Sequence, residues 1–357
     1  MISLYVGSTS GYSGKSLVSM GLGHKFKKDG LRVGYIKPVG ILPIKVENIL
    51  TDKDSWFIYR ALGLKDPLSE ICPIVMTQEL TVKAYQKDIK GLLGKIVKSY
   101  QRLSEGKDIM IVGGSGSIYS WGILGISGLK VIKRINAKAL IVVKYEGEFC
   151  VDYILQAKKD LNDNFIGVVL NKVTHEYKQG VEDSIIPFLK RKGVDIIGIL
   201  PQDPLVGSIT VEELNEMLGG KVLCCHDRVS NLVEHFLIGA MQVDKATEYF
   251  KRTKNNAVIV GGDRADIQLS AIESGTECLV LTGELYPSEI IISRAEQKEI
   301  PIIVVRDDTY SVAKKLEKLS VRLRLRDKAK VTHGTNLVME HVNFPLLYKK
   351  LGINRGS

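Results

Sequence analysis

The sequence predicts an α/β protein in which a parallel sheet carries helices on both faces, followed by a second, smaller α/β domain. Three observations carry that expectation. Six short β-branched runs alternate with helix-length segments through the first 200 residues. Those runs are nearly continuous in apolar residues, as strands buried on both faces must be. Beyond "GSITVEEL" (207–214) the alternation of strand, glycine turn and helix starts afresh.

Taken in order, the strands are expected at 3–8 (SLYVGS), 32–39 (RVGYIKPV), 108–114 (DIMIVGG), 139–145 (ALIVVKY), 165–173 (FIGVVLNKV) and 195–202 (DIIGILPQ). Helical spacing marks 15–28 and 83–104 between them. The second unit reads as "KVLCCHD", a helix through "SNLVEHFLIGAM", then "NAVIVGGDRADIQLSAIES", "ECLVLTGEL", the helix "SEIIISRAEQKE" and "IPIIVVRDD". The expected domains are 1–207 and 208–322, with a tail at 323–357 holding short helices near "TNLVMEHV" and "FPLLYKKLG". The alternating "VRLRLRDKAK" (321–330) predicts a strand with one solvated face.

Composition narrows the function classes. Hydrophobic residues make up 45% and charged residues 25% of 357, as in ordinary globular chains. No apolar run approaches the roughly 18 to 20 residues of a membrane span, and no basic-then-apolar leader precedes the first strand. A cytoplasmic protein is expected. The five cysteines show neither CxxC nor zinc spacing, which argues against a disulfide frame or a structural metal. A net charge of +10 suits anionic metabolites. The basic residues are diffuse and lack interleaved aromatics, so nucleic acid is not the expected partner.

The chemistry concentrates in "STSGYSGKS" (8–16), between the first strand and the first helix. A glycine-rich turn lets backbone N–H groups approach a phosphate chain, and the helix N-terminus adds partial positive charge. Thr9, Ser10, Gly11, Ser13 and Gly14 would form this cradle. Lys15 would reach the β/γ-phosphate oxygens, and the Ser16 hydroxyl would coordinate Mg²⁺. The strict G-x-x-x-x-G-K-[ST] pattern is missed by one position, since Thr9 stands where it wants glycine. Lys37 ends the second strand on the same rim. Asp52 and Asp54 precede a helix, where they would either cap it or hold Mg²⁺.

In this order and spacing, "STSGYSGKS", "YIKPVG", "DKDS", "VVLNKV" and "GILPQD" resemble the dethiobiotin synthetase-like P-loop NTPase fold. More closely, they resemble the N-terminal region of long bacterial phosphotransacetylases and its stand-alone relatives. The second unit resembles the DRTGG domain, with "GGDRADIQLSAI" (261–272) at its signature position. The resemblance implies ATP and Mg²⁺ as ligands, with Lys15 on the phosphates and Lys37 near the transferred group as a catalytic residue. It further implies Ser16 and Asp54 on the metal, and Asn171 and the backbone around Pro201 at adenine. One departure stands out: the family's V-E-G-A-G segment reads "IVGGSGS" here, with Gly113 in place of the acidic residue. Losing a hard oxygen ligand weakens Mg²⁺ positioning, on which phosphoryl transfer depends. Restoring Glu at 113 should then strengthen the dependence on Mg²⁺.

In the second unit, Gly261, Gly262, Asp263, Arg264 and Asp266 are candidate ligand residues. Arg264 would clamp an anion on the glycine turn; alternatively Asp263 or Asp266 caps the following helix. These readings lead to an ATP-binding regulatory or sensor protein that responds to nucleotide or another anionic metabolite. Its expected partners are an enzyme of acetyl-phosphate metabolism and further copies of itself. The long phosphotransacetylases continue into a catalytic domain that does not follow here, so no acetyltransferase activity is expected. The rival is an ATP-dependent carboxylate or carbamate ligase of the dethiobiotin synthetase or cobyrinic acid a,c-diamide synthase type.

Overall fold

The computed structural model describes residues 1–319 and 328–353. The chain packs as two units, the first comprising residues 1–202 and the C-terminal helices, the second starting at Asp203. The division falls ahead of the 207/208 boundary expected from sequence. Asp203 opens the second unit by capping the short helix Pro204–Gly207, accepting from Val206 N–H at 2.8 Å.

In the first unit, β1 (Ile2–Gly7), β2 (Val33–Ile36), β3 (Ile109–Gly113), β4 (Lys138–Lys144), β5 (Phe165–Val173) and β6 (Ile196–Pro201) form one parallel sheet. They lie in the order β6-β5-β4-β1-β3-β2 and correspond to the six runs read from sequence. All five residues of β3 and Ala139–Val143 of β4 are buried, which is why these strands show no polar alternation. β1 pairs with β3 on one side (Val6 opposite Gly113) and with β4 on the other (Val6 opposite Leu140). The strand order reverses here, and ligands of such sheets sit beyond the carboxyl ends.

Helix α1 (Lys15–Lys28) starts where expected and is buried nearly all round, through Leu17, Val18, Met20, Leu22 and Phe26. Helix α2 (Lys53–Ala61) follows a hairpin of Pro43–Val46 and Ile49–Asp52. The helix expected over 83–104 is two helices, Gln78–Gln86 and Leu92–Ser104, parted by a turn that Gly91 closes at φ +84°. Only the second presents a buried apolar stripe (Ile96, Tyr100, Leu103), so helical spacing misjudged the first part.

The second unit holds β7 (Lys221–Val222), β8 (His235–Ile238), β9 (Asn256–Gly261), β10 (Cys278–Thr282) and β11 (Ile302–Val304). Their order is β7-β11-β10-β9-β8, with only β7 antiparallel to its neighbour. Side chains alternate between two cores: Val258, Val260, Leu279 and Leu281 enter one, Ala257, Ile259, Cys278 and Val280 the other. Helix α3 (Ala265–Glu273) follows β9. The expected helix through "SNLVEHFLIGAM" is corrected here to a short strand, Leu232–Val233, followed by the edge strand β8. Its apolar residues are consecutive because both faces of the sheet are covered: Leu237 enters one core and Phe236 packs against the other, while Ile238 is left exposed.

The chain then rejoins the first unit through α4 (Lys328–His341) and α5 (Phe344–Leu351). The expected tail is thus an integral layer of that unit. Val338 lies so close to α1 that a Cβ on Gly21 would sit 2.4 Å from its own Cβ. Past α4, Asn343 N–H donates to Ile197 O at 2.7 Å, shielding the edge strand β6. Of the strand expected at 321–330, residues 321–327 lie outside the described residues, while Lys328 opens α4. Among the described residues, no helix is long and apolar enough to cross a membrane.

Candidate functional site

The loop between β1 and α1 lies at the carboxyl end of the central strand. Tyr12 and Gly14 adopt positive φ (+56° and +91°), and Gly14 is the residue from which α1 starts. The α1 N-terminus carries no side-chain cap, whereas Asp52, Thr77 and Ser127 cap the helices they precede. Uncapped first-turn N–H groups and the helix dipole present positive potential to the loop. Around them the loop ties itself: Ser10 and Ser13 hydroxyls lie 3.1 Å apart, and Ser13 Oγ donates to Ser10 O at 3.1 Å. Thr9 is half-buried, Ser10 and Gly11 are exposed, and nothing approaches Gly11 within 4 Å of where a Cβ would stand.

Lys15 is buried within this loop and donates to Ser8 Oγ and to Gly116 O, both at 2.8 Å. Ser8 in turn donates to Ser10 O and Gly116 O. The "GGSG" segment after β3 is therefore the opposite wall of the loop. Burial and then the nearby Lys37 ammonium lower the Lys15 pKa to about 8. An anion at the loop would oppose both effects.

Lys37 emerges from β2 into a buried ion-pair cluster. Its Nζ donates to Asp52 Oδ1 at 2.6 Å and Asp54 Oδ2 at 2.9 Å. Burial works against the ammonium, but Asp54 and Asp52 outweigh it and hold its pKa above the usual lysine value. Asp52 is fully buried and saturated: Oδ1 accepts from Lys37, Ser55 N–H and Ser55 Oγ, and Oδ2 from Ile41 and Leu42 N–H. Of the two roles open to it from sequence, it takes the helix cap and adds the Lys37 pair. Asp54 is one-third exposed and keeps Oδ1 clear of hydrogen bonds among the described residues.

Among the described residues no three acidic, histidine or cysteine side chains gather as a metal site.

Asn171, at the end of β5, is buried and its amide is committed: Nδ2 donates to Ser13 O at 2.8 Å and Oδ1 accepts from Lys172 N–H. It braces the loop from below. Pro201 lies at the end of β6, beside a groove of about 450 Å³ that Val173, Ile196, Lys178 and Lys190 also line. The structure thus gathers Thr9, Ser10, Gly11, Ser13, Gly14, Lys15 and Asn171 about one loop, with Lys37 close enough to depress Lys15.

Sequence reasoning missed Ser8, Gly116 and Tyr35. Tyr35 is 2% exposed, and a Cβ at Gly113 would lie 2.5 Å from its hydroxyl. A glutamate at 113 would therefore have to displace the Tyr35 hydroxyl.

In the second unit the candidate residues behave differently from expectation. Arg264 is paired in bidentate fashion with Asp266, both N···O distances being 3.0 Å, so it is not the open anion clamp anticipated. Neither Asp263 nor Asp266 caps α3. The turn is instead held by Gln268, whose Nε2 donates to Gly261 O and Gly262 O. Gly262 is required by packing, since a Cβ there would meet Leu285 O at 2.3 Å. A buried amide seven residues beyond the first glycine carries no motif, and this partner was illegible from sequence.

Sheet order, loop and lysine together define a P-loop NTPase-type α/β protein with a second α/β domain. The chain belongs to the AAA domain family, whose model matches residues 3–210, and a DRTGG domain model matches residues 213–319. It is 23% identical to a phosphate acetyltransferase of Synechocystis sp., covering 96% of this chain and 50% of that protein. The corresponding enzyme of Nitratidesulfovibrio vulgaris is 25% identical, over 99% and 52%. An ATP-dependent dethiobiotin synthetase of Methanococcus vannielii is 26% identical over 208 residues, which is 55% of this chain and 92% of that one. The chain thus spans about half the length of the phosphate acetyltransferases it matches.

Proposed function

We propose that the first unit binds ATP, or a nucleotide like it, in order to regulate rather than to transfer its phosphate. The phosphates would lie on the α1 N-terminus against Lys15 and Ser16, with the base toward Pro201 and Asn171 acting as a brace. The observation that carries this reading is the state of Lys37. Its ammonium is neutralised by Asp52 and Asp54, while the α1 N-terminus and Lys15 face the loop. A cation bound to two carboxylates is poorly placed to stabilise charge that develops on a transferring phosphoryl group. Holding a phosphate chain requires only the loop.

The similarity to phosphate acetyltransferases supports a role in acetyl-phosphate metabolism, with nucleotide binding passed to the DRTGG domain or to a partner enzyme. Titration calorimetry with ATP and Mg²⁺, followed by phosphate release from the same sample, tests the proposal. Binding without turnover, abolished by Lys15→Ala, is expected. Turnover stimulated by a diamine with CO₂, or by a carboxylate, would instead establish the ligase reading, which the similarity to dethiobiotin synthetase favours. No binding at all removes both.

A further inference from the structure

Tyr35 and Gly113 face each other across neighbouring strands. Tyr35 of β2 stands opposite Ile111 of β3, so Gly113, two residues on, is its diagonal neighbour on the same face of the sheet. Gly113 also pairs with Val6, just ahead of the phosphate loop. The Tyr35 hydroxyl fills the space a side chain at 113 would enter, at 2.5 Å from the ideal Cβ. Tyr35 is 2% exposed, and its hydroxyl, which makes no hydrogen bond among the described residues, is not one of the closed-off unpaired polar atoms and so keeps access to solvent. A phenol O–H held in place by its buried ring and left without a protein acceptor is free to donate to a ligand or water.

We infer that Tyr35 is a ligand-binding residue of the loop site, donating a neutral hydrogen bond to the phosphate chain where a carboxylate would otherwise take up magnesium. The inference rests on the nucleotide reading above and specifies its ligand: the nucleoside polyphosphate anion itself, held with little help from the metal. Burial, and then the fields of Asp52 and Asp54, keep the phenol protonated well above its usual range, so it remains a donor. Asp52 has no oxygen to spare, and Asp54 is the one carboxylate of this cluster with an oxygen open to a cation.

Calorimetry with ATP, once in excess Mg²⁺ and once in EDTA, provides the test. For the native protein the two affinities should agree within about threefold. Tyr35→Phe keeps the ring and should keep the melting temperature, while weakening ATP about tenfold in both buffers. Gly113→Glu should unfold at lower temperature, and the double variant Tyr35→Ala/Gly113→Glu should recover part of that loss and gain at least tenfold dependence on Mg²⁺. An unchanged affinity in Tyr35→Phe, or a native affinity that collapses in EDTA, overturns the inference and leaves nucleotide binding standing. No binding in either buffer removes the nucleotide reading and this inference with it.

Discussion

Lys15 has a pKa near 8 because the fold buries it and places Lys37 nearby, before any ligand arrives. Between about pH 8 and the ordinary lysine value near 10.5, the unfolded chain holds a proton at Lys15 that the folded chain has lost, so this residue's contribution to stability rises with pH. Nucleotide affinity should move the other way, since phosphates favour the ammonium. We expect ATP binding to weaken about tenfold from roughly pH 7.5 to 9.5. Uptake of protons on binding near pH 8.5 should appear as a calorimetric enthalpy that varies with buffer, and Lys15→Met should lose the proton uptake. Lys37 offers a contrasting case. Replacing it with Met leaves the buried Asp52 uncompensated, a loss of about 3 to 5 kcal/mol that urea denaturation will register. Lys15 was legible in sequence because Gly-Lys-Ser is local chemistry between a strand and a helix. Tyr35 and the Lys37–Asp52 pair were not, because each depends on which strands lie side by side and at what register.

Elements were most legible where local pattern and burial agree. The six strands of the first sheet announce themselves as apolar runs because both of their faces are covered. β8 did not, since an edge strand with consecutive apolar residues is compatible with a helix. The loop between β1 and α1 shows the same principle, for its flanking elements fix it. Helix α1 is buried on the sheet side and on the α4 side, and Gly21 allows the second contact. A methyl group at Gly21 would drive into Val338, so Gly21→Ala should destabilise the first unit by about 1 to 3 kcal/mol despite the better helix propensity of alanine. Scanning calorimetry of Gly21→Ala alone and with Val338→Ala tests this, with the second change expected to recover part of the loss. A melting temperature that rises in Gly21→Ala would mean that α4 does not pack as described.

For the whole molecule, the decisive fact is that the DRTGG-bearing unit is inserted into the chain of the P-loop unit. The first unit leaves off after β6 and is completed only by α4 and α5. Sequence order hides this, because a tail of short helices after a second domain looks dispensable, and only the contacts of Val338 and Val342 show otherwise. Leu337, Val338, Phe344, Leu347, Tyr348 and Leu351 are all buried. At about 1.5 to 3 kcal/mol for each large side chain, their burial contributes on the order of 10 kcal/mol. That is comparable with the whole stability of an ordinary domain. Removing residues 328–357 should therefore unfold the P-loop unit and abolish ATP binding, although no residue of the phosphate loop is touched. The inserted unit has its own two-sided core and should keep its own melting transition. Calorimetry of the shortened chain should thus show one surviving transition, whereas ATP binding retained by that chain would show that α4 and α5 are not part of the first unit's core.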